Sequence, residues 1–165
     1  MARVYVSIGS NIDRERHIDS ALQTLAGLVG PLECSTVYES AAVGFDSDPF
    51  YNLVVGFDTE LEPRAVQALL HEIEAGNGRQ RSNALAARTL DLDMLLYDDL
   101  VVNEPDMVLP RADINAYAFV LAPLAEIAGA RRHPVSGRRF DDLWSGFADR
   151  EQVLKPVAWL PVAGR

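Results

Sequence analysis

The sequence predicts an α+β fold, a ferredoxin-like βαββαβ antiparallel sheet with helices packed on it and C-terminal additions. Segments rich in β-branched and aromatic residues alternate with segments whose apolar residues recur at helical spacing. Turns containing glycine or proline separate these segments. A chain of 165 residues is long enough to bury a sizeable core, so we expect one domain over residues 1–165.

The first half of the chain supplies three predicted strands and one helix. Residues 3–8 are β-branched and aromatic and end at Gly9, which predicts the first strand. Apolar residues then recur every three or four positions up to the Gly-Pro pair at 30–31, which predicts a helix packed on the sheet. Residues 33–39 and 50–59 predict the second and third strands.

The second half supplies the second helix, the fourth strand and the additions. A proline at a helix start predicts a helix that begins at Pro63 and stops at residues 76–78. Residues 88–97 predict a strand, and residues 100–102 a shorter one. The proline inside residues 119–128 predicts a helix split into two short pieces. A short helix near Trp144 and an irregular arm from Lys155 complete the prediction.

The strand at residues 88–97 carries two aspartates on one face. Leucine and methionine side chains alternate with Asp91 and Asp93, and successive side chains of a strand point to opposite faces. The two carboxylates therefore point the same way, with Cα atoms roughly 7 Å apart. Such a pair suits Mg²⁺, which prefers oxygen ligands and is usually shared with substrate phosphates. The alternative is a strand with a solvated polar face.

Three arginines precede or join this strand. Arg79, Arg81 and Arg88 are residue types that bind phosphate through paired N–H groups. A metal-binding acidic pair next to phosphate-binding bases is typical of a phosphoryl-transfer site. The alternative for Arg79 and Arg81 is a pair of solvated loop charges.

Composition excludes several classes of function. The formal net charge of −9 argues against a nucleic-acid partner, which needs a basic surface. Cys34 is the single cysteine, so no internal disulfide can form, and we expect a buried thiol. No signal peptide and no apolar run long enough to span a bilayer are visible, so we expect a cytoplasmic protein without a membrane partner. We expect a monomer.

Four stretches together carry a resemblance to a known family. They are Ser-Ile-Gly-Ser-Asn at residues 7–11, Phe-Tyr-Asn at 50–52, Glu-Ile-Glu at 72–74 followed by Gly-Arg at 78–79, and Arg-Thr-Leu-Asp-Leu-Asp at 88–93. With these stretches the chain resembles the 6-hydroxymethyl-7,8-dihydropterin pyrophosphokinases of folate biosynthesis. The resemblance runs from Val4 to about Trp144, and the last stretch is its most specific part.

The resemblance implies an activity and a set of site residues. Members of the family transfer pyrophosphate from ATP to a pterin hydroxymethyl group with two Mg²⁺ ions. The metal ligands implied here are Asp91 and Asp93, and the catalytic residues are these two with Arg88 and Arg111. The implied pterin-binding residues are Ser40, Val43, Asn52 and Phe119, and the implied nucleotide-binding residues are Glu74, Arg79, Arg81, Arg88 and Arg111. For Glu74 a solvated helix end, and for Phe119 a plain core position, are the alternatives.

The chain departs from the family pattern near the nucleotide. Arg111 stands where the family has a phosphate-contacting histidine, and Tyr117 stands where it has a nucleotide-binding arginine. Leu85 is the nearest substitute for the tryptophan that helps to close over the pterin. An arginine is always cationic and binds phosphate bidentately, so Arg111 can supply the missing charge.

Three hypotheses follow from the sequence. The first is an active pyrophosphokinase, including one for a variant pterin, and the second is a catalytically weak or inactive paralogue that binds pterin or nucleotide. The third is a ferredoxin-like scaffold without a small-molecule site. Adjacent carboxylates repel, so retention of the Asp91–Asp93 pair favours the first, whereas the change at Tyr117 favours the second.

Overall fold

A computed structural model describes residues 1–41, 48–78, 90–149 and 152–164. The helices and strands, in chain order, are β1 Ala2–Ser10, α1 Arg14–Val29, β2 Glu33–Cys34, β3 Tyr38–Ser40, β4 Phe50–Thr59, α2 Pro63–Gly76, β5 Asp91–Tyr97, β6 Val102–Glu104, β7 Met107–Leu109, α3 Asp113–Ala116, α4 Ala118–Ala128, α5 Phe140–Ser145 and β8 Lys155–Pro156. A 3₁₀ turn, η1, covers Val162–Gly164.

The sheet is antiparallel and has the strand order β5-β1-β4-β3-β8, with β2 also paired to β4. The central strand β1 pairs with β4 along its whole length. The βαββαβ order with C-terminal additions is therefore confirmed. The hairpin of β6 and β7 forms a separate two-stranded sheet.

Helices cover both faces of the sheet. Apolar side chains of α1 and α2 pack on the face that carries Val4, Val6 and Ile8 of β1, and we call this the first face. The additions α4 and α5 pack on the opposite, second face, where Tyr5 and Val54 are buried. The C-terminal additions thus form a second helical layer.

A β-bulge in β5 changes which face its side chains reach. Met94 opposes Val6 and Leu96 opposes Tyr5, so Leu95 is one extra residue in β5. Because of this insertion, Leu95 and Leu96 both join the core beneath α4.

Two predicted strands differ in detail from the structure. The second predicted strand is interrupted between β2 and β3, because the hydroxyl of Ser35 accepts a hydrogen bond from the amide of Val54 at 2.9 Å. A side-chain oxygen there takes the place of a main-chain ladder partner. The strand predicted at residues 100–102 is wrong in position, since the β6–β7 hairpin begins at Val102.

The predicted split of the helix at its proline is wrong. Helix α4 is continuous from Ala118 to Ala128 with Pro123 inside it. Most of its side chains, including Pro123, are buried, and tertiary packing outweighs the cost of the missing hydrogen bond.

The predicted irregular arm is also partly wrong, because Lys155 and Pro156 pair with β3 as β8. Among the described residues, every helix is too short or too polar to cross a bilayer.

Candidate active site

A row of directly opposed residues crosses the second face of the sheet. Asp91 opposes Gly9, Gly9 opposes Asn52, and Asn52 opposes Tyr38. Directly opposed residues of neighbouring strands share a face, so these side chains lie on the same face. Asp93 opposes Ser7 in the adjacent row. The aspartates and Asn52 therefore face the same side from strands two places apart, about 10 Å at the usual strand spacing.

Gly9 lies between the aspartate pair and Asn52 on this face. A Cβ atom at Gly9 would lie 3.2 Å from Oδ1 of Asn52 and 3.6 Å from Cδ1 of Phe50. The first distance is tight enough that the carboxamide would have to move. Glycine at this position thus preserves both the space above β1 and the placement of Asn52.

Asn52 and Ser40, both predicted pterin-binding residues, are in contact. Both are buried, and Nδ2 of Asn52 donates a hydrogen bond to Oγ of Ser40 at 2.7 Å. This bond fixes the plane of the carboxamide, whose donors and acceptor are suited to the edge of a heterocycle. Ser40 is the last residue of β3 rather than a loop residue. Val43 lies outside the described residues.

Asp91 and Asp93 are half-buried at the start of β5. Their strand is tied to α2 by Glu74, which is only 1% exposed and whose Oε2 accepts a hydrogen bond from the amide of Leu92 at 2.8 Å. The alternative of a solvated helix-end carboxylate is therefore wrong for Glu74. Contact of Glu74 with a nucleotide stays a prediction. In the structure Glu74 contacts β5, the strand that carries the two aspartates.

Arg111 reaches the aspartate pair from the segment after β7. Its Nη2 lies 3.5 Å from Oδ1 of Asp93, and its Nε lies 3.3 Å from Oδ2 of Asp113. Burial opposes the charged form, but Asp93, Asp113 and Asp91 outweigh burial and raise the pKa of Arg111. The guanidinium therefore carries its positive charge at the aspartate pair at every ordinary pH.

Phe119, the predicted pterin-stacking residue, lies at the start of α4. Its ring is half-buried against the core beneath α4 and is stacked on Tyr117, with centroids 4.9 Å apart and planes at 20°. The plain-core alternative therefore describes only part of the Phe119 ring. Tyr117, which is predicted to stand where the family has an arginine, contributes an aromatic surface rather than a charge.

The fit to a metal rests on the acidic pair. In the described parts of the chain, no group of three or more His, Cys, Asp or Glu side chains is arranged to hold a metal ion. Mg²⁺ usually takes one or two protein carboxylates and completes its shell with water and substrate phosphates. Two half-buried aspartates on one strand face fit that requirement, and a nucleotide would supply the remaining oxygens.

Three site features were missed by sequence reasoning. They are the contact of Glu74 with β5, the Ser40–Asn52 hydrogen bond and the bulge at Leu95. One signal in the sequence indicated that Glu74 is buried. Glu74 directly follows Ile73, the last residue of the apolar stripe of α2. The predicted phosphate-binding residues Arg79, Arg81 and Arg88 lie outside the described residues.

Comparison with known proteins identifies a pyrophosphokinase family. The model of one family, described as "7,8-dihydro-6-hydroxymethylpterin-pyrophosphokinase (HPPK)", matches residues 5–129. A 2-amino-4-hydroxy-6-hydroxymethyldihydropteridine pyrophosphokinase of Methylorubrum extorquens is 38% identical over 132 residues, which cover 78% of this chain and 84% of that protein. One of Pseudomonas aeruginosa with the same name is 37% identical over 145 residues, which cover 86% of this chain and 89% of that protein.

Solved structures share the fold at low sequence identity. An HPPK-DHPS protein of Plasmodium falciparum, solved with pterin and p-hydroxybenzoate, matches with a TM-score of 0.73 at 13% identity. The match covers 88% of this chain and 43% of that protein, so the chain spans less than half of it.

Proposed function

Because this chain belongs to the 7,8-dihydro-6-hydroxymethylpterin-pyrophosphokinase family, we propose that it transfers pyrophosphate from ATP to the hydroxymethyl group of 6-hydroxymethyl-7,8-dihydropterin, with two Mg²⁺ ions. The hydroxyl oxygen attacks the β-phosphorus and loses its proton to solvent, the bond from that phosphorus to the α–β bridging oxygen breaks, and AMP leaves. The observation that supports this proposal is the common face of Asp91, Gly9 and Asn52 across three strands.

The residues divide into two groups across this face. Asp91 and Asp93 hold the metal ions, whose chemistry is to stabilise charge on the attacking and leaving oxygens of an in-line displacement. Asn52 and Ser40 orient the pterin edge, and Phe119 stacks on its ring. We also assign Val43 to the pterin, and Arg79, Arg81, Arg88 and Arg111 to the nucleotide phosphates.

Positioning and charge account for most of the proposed catalysis. The transferred group demands little covalent chemistry from the protein, so rate depends on alignment of the pterin hydroxyl with the phosphate chain. The rigid sheet between Asp91 and Asn52 fixes that alignment, because β1 is hydrogen-bonded to both flanking strands. Glu74 acts here as a positioning residue for β5.

The test is AMP release from ATP with the hydroxymethyl dihydropterin and Mg²⁺. Asp91→Asn and Asp93→Asn should each reduce turnover at least a hundredfold, since a lost metal ligand costs several kcal/mol of transition-state stabilisation. Asp99→Asn is the matched control, because Asp99 is an exposed acid just after the same strand. Near-native turnover in either aspartate variant would contradict the two-metal site.

A second candidate is binding of pterin and nucleotide without efficient transfer. Two observations favour it: the ion pair of Arg111 with Asp93, and the aromatic ring of Tyr117 in place of a nucleotide-binding arginine. Under this alternative, calorimetry detects binding of both ligands whereas AMP release stays at the background rate. The AMP-release assay is also run with a pterin that carries a different substituent. Turnover with that pterin, and none with the hydroxymethyl dihydropterin, would identify a variant substrate.

A further inference from the structure

Arg111 is held next to Asp93 by main-chain and side-chain contacts. The amide of Arg111 donates to the carbonyl of Leu95 at 3.0 Å, and its carbonyl accepts from Ile114 at 3.2 Å. Leu95 is the extra residue of the bulge in β5, two positions after Asp93. The main chain of Arg111 is therefore fixed to the strand that carries the aspartates.

Buried neighbours hold the same segment from both sides. Leu109 is 2% exposed and Ile114 is fully buried, so the chain is anchored before and after Arg111. The Arg111 side chain itself is 39% exposed, against 18% for Asp93. A fixed backbone and a half-exposed end allow the guanidinium to change partners by side-chain rotation alone, without movement of the segment.

The guanidinium and a metal ion compete for the same carboxylate. Two aspartates on one strand face repel each other, and a nearby cation relieves that repulsion. Arg111 already supplies such a cation, with Nη2 facing Asp93 while Asp113 holds the Nε edge. A divalent ion bound to Asp93 would place a second positive charge close to Nη2, and the repulsion between the two favours movement of the guanidinium to another anion.

The phosphate groups of a nucleotide are the anions best suited to bind the Arg111 guanidinium. A guanidinium binds phosphate oxygens through paired, charge-assisted hydrogen bonds. We propose that Arg111 is an internal counter-ion of the Asp91–Asp93 pair, which weakens divalent-cation binding in the empty protein and moves to the triphosphate when the nucleotide arrives. This inference rests on the proposed function, since it requires nucleotide and metal at this site.

The consequence is a coupling between two ligands. Without nucleotide, a divalent ion competes with Arg111 for Asp93 and binds weakly. With nucleotide, the same guanidinium stabilises the phosphates and leaves the carboxylate to the metal. Metal affinity therefore rises on nucleotide binding by more than the phosphate ligands alone contribute, and by linkage nucleotide affinity rises equally with metal.

Mn²⁺ binding measured by electron paramagnetic resonance tests this coupling without any turnover. The titration is done on the full chain, with and without α,β-methylene-ATP, for the wild type and Arg111→Gln. The variant should bind Mn²⁺ alone at least threefold more tightly than the wild type, and should lose at least tenfold in affinity for the Mn²⁺-bound analogue. Arg64→Gln is the matched control, because Arg64 also bridges two acids, Glu104 and Asp106, at a similar exposure.

Two further variants define the outcome. Arg111→Lys keeps the charge and should bind Mn²⁺ alone like the wild type, whereas Arg111→Ala is a second neutral variant should Arg111→Gln fail to fold. The inference is overturned if the neutral variants bind Mn²⁺ alone no more tightly than the wild type, including the case in which none of them binds it. Failure of the proposed function is a separate result: it appears in the AMP-release assay of the wild type with pterin.

Discussion

The carboxylate of Glu74 accepts a hydrogen bond from the amide of Leu92, the residue that separates Asp91 from Asp93. In the described part of the chain β5 is an edge strand, paired only with β1. Its outward-facing amides therefore lack a second strand to bond with, and a side chain of α2 supplies the acceptor. The orientation of the two aspartates thus depends on a buried residue from a different element.

Loss of this acceptor should affect stability and turnover together. Glu74→Ala leaves the Leu92 amide without the Glu74 acceptor, which costs about 1–3 kcal/mol of unfolding free energy. We expect a lower urea midpoint and a lower kcat for AMP release, because β5 is less rigidly placed. Glu74→Gln retains a carbonyl acceptor of the same length and should recover most of both quantities.

The matched control for Glu74 is Glu72→Ala, an exposed glutamate on the same helix. It should leave both the urea midpoint and kcat unchanged. If Glu74→Ala unfolds at the wild-type midpoint and turns over at the wild-type rate, the hydrogen bond to Leu92 does not position the aspartates.

The strand with the two aspartates was predictable because its signal is local. A period of two residues places Asp91 and Asp93 on one face whatever surrounds the strand, and the predicted face is the one observed. The role of Glu74 was not predictable in this way. Its hydrogen-bond partner lies 18 residues further along the chain, so sequence left a solvated and a functional carboxylate as alternatives.

The same contrast between local signals and long-range contacts explains the other differences between the predicted and the observed structure. Pro123 predicts a break from local rules alone, yet burial of most of the α4 side chains holds the helix together. Residues 33–39 predict one strand from their composition, yet the hydroxyl of Ser35 replaces a main-chain partner of Val54. In both cases tertiary contacts outweigh local preference, and a single sequence carries no record of those contacts.

Gly9 should be required for binding of the pterin rather than for folding. In Gly9→Ala the new methyl group meets Oδ1 of Asn52 at 3.2 Å, so the carboxamide must shift. We expect the pterin Kd, measured by calorimetry, to rise at least threefold while the nucleotide Kd stays unchanged. Gly27→Ala is the matched control: it lies in α1 with nothing within 4 Å of its new methyl group.

The two substitutions should differ in their effect on stability. Alanine in the helix interior should stabilise Gly27→Ala by about 0.5–1 kcal/mol, with no change in pterin affinity. Gly9→Ala should leave the free energy of unfolding unchanged, because the reduced flexibility of the unfolded chain is offset by the close contact with Asn52. A Gly9→Ala protein that binds pterin as tightly as the wild type would show that this part of β1 does not border the pterin site.

The hydrogen bond between Asn52 and Ser40 should be measurable as a coupling. Ser40→Ala removes the acceptor of the Asn52 Nδ2 group, and Asn52→Ala removes the donor. In a double-mutant cycle on unfolding free energy we expect an interaction of about 0.5–1.5 kcal/mol. Pterin affinity should fall in both single variants, and less in Ser40→Ala, since the carboxamide is still present there. Strictly additive unfolding energies would contradict the contact.

Tyr38 joins the row of opposed residues to α4. Its hydroxyl donates to Oε1 of Glu126 at 2.9 Å, and Oε2 of the same carboxylate accepts from the amide and hydroxyl of Thr36. Burial, together with the bond to Glu126, raises the pKa of Tyr38 to about 12. Glu126 thus fastens β3 to the helix that carries Phe119 at its other end.

This contact should contribute stability that disappears in strong alkali. The folded-state pKa of Tyr38 lies above its ordinary value of 10.0, so the contribution is complete below about pH 10 and is lost as pH rises toward about 12. We expect the stability difference between wild type and Tyr38→Phe, from urea unfolding, to shrink across this window. Tyr97→Phe is the matched control, because the Tyr97 hydroxyl donates to the neutral carbonyl of Leu61. A wild-type advantage over Tyr38→Phe that stays constant up to pH 12 would contradict the ionic partner.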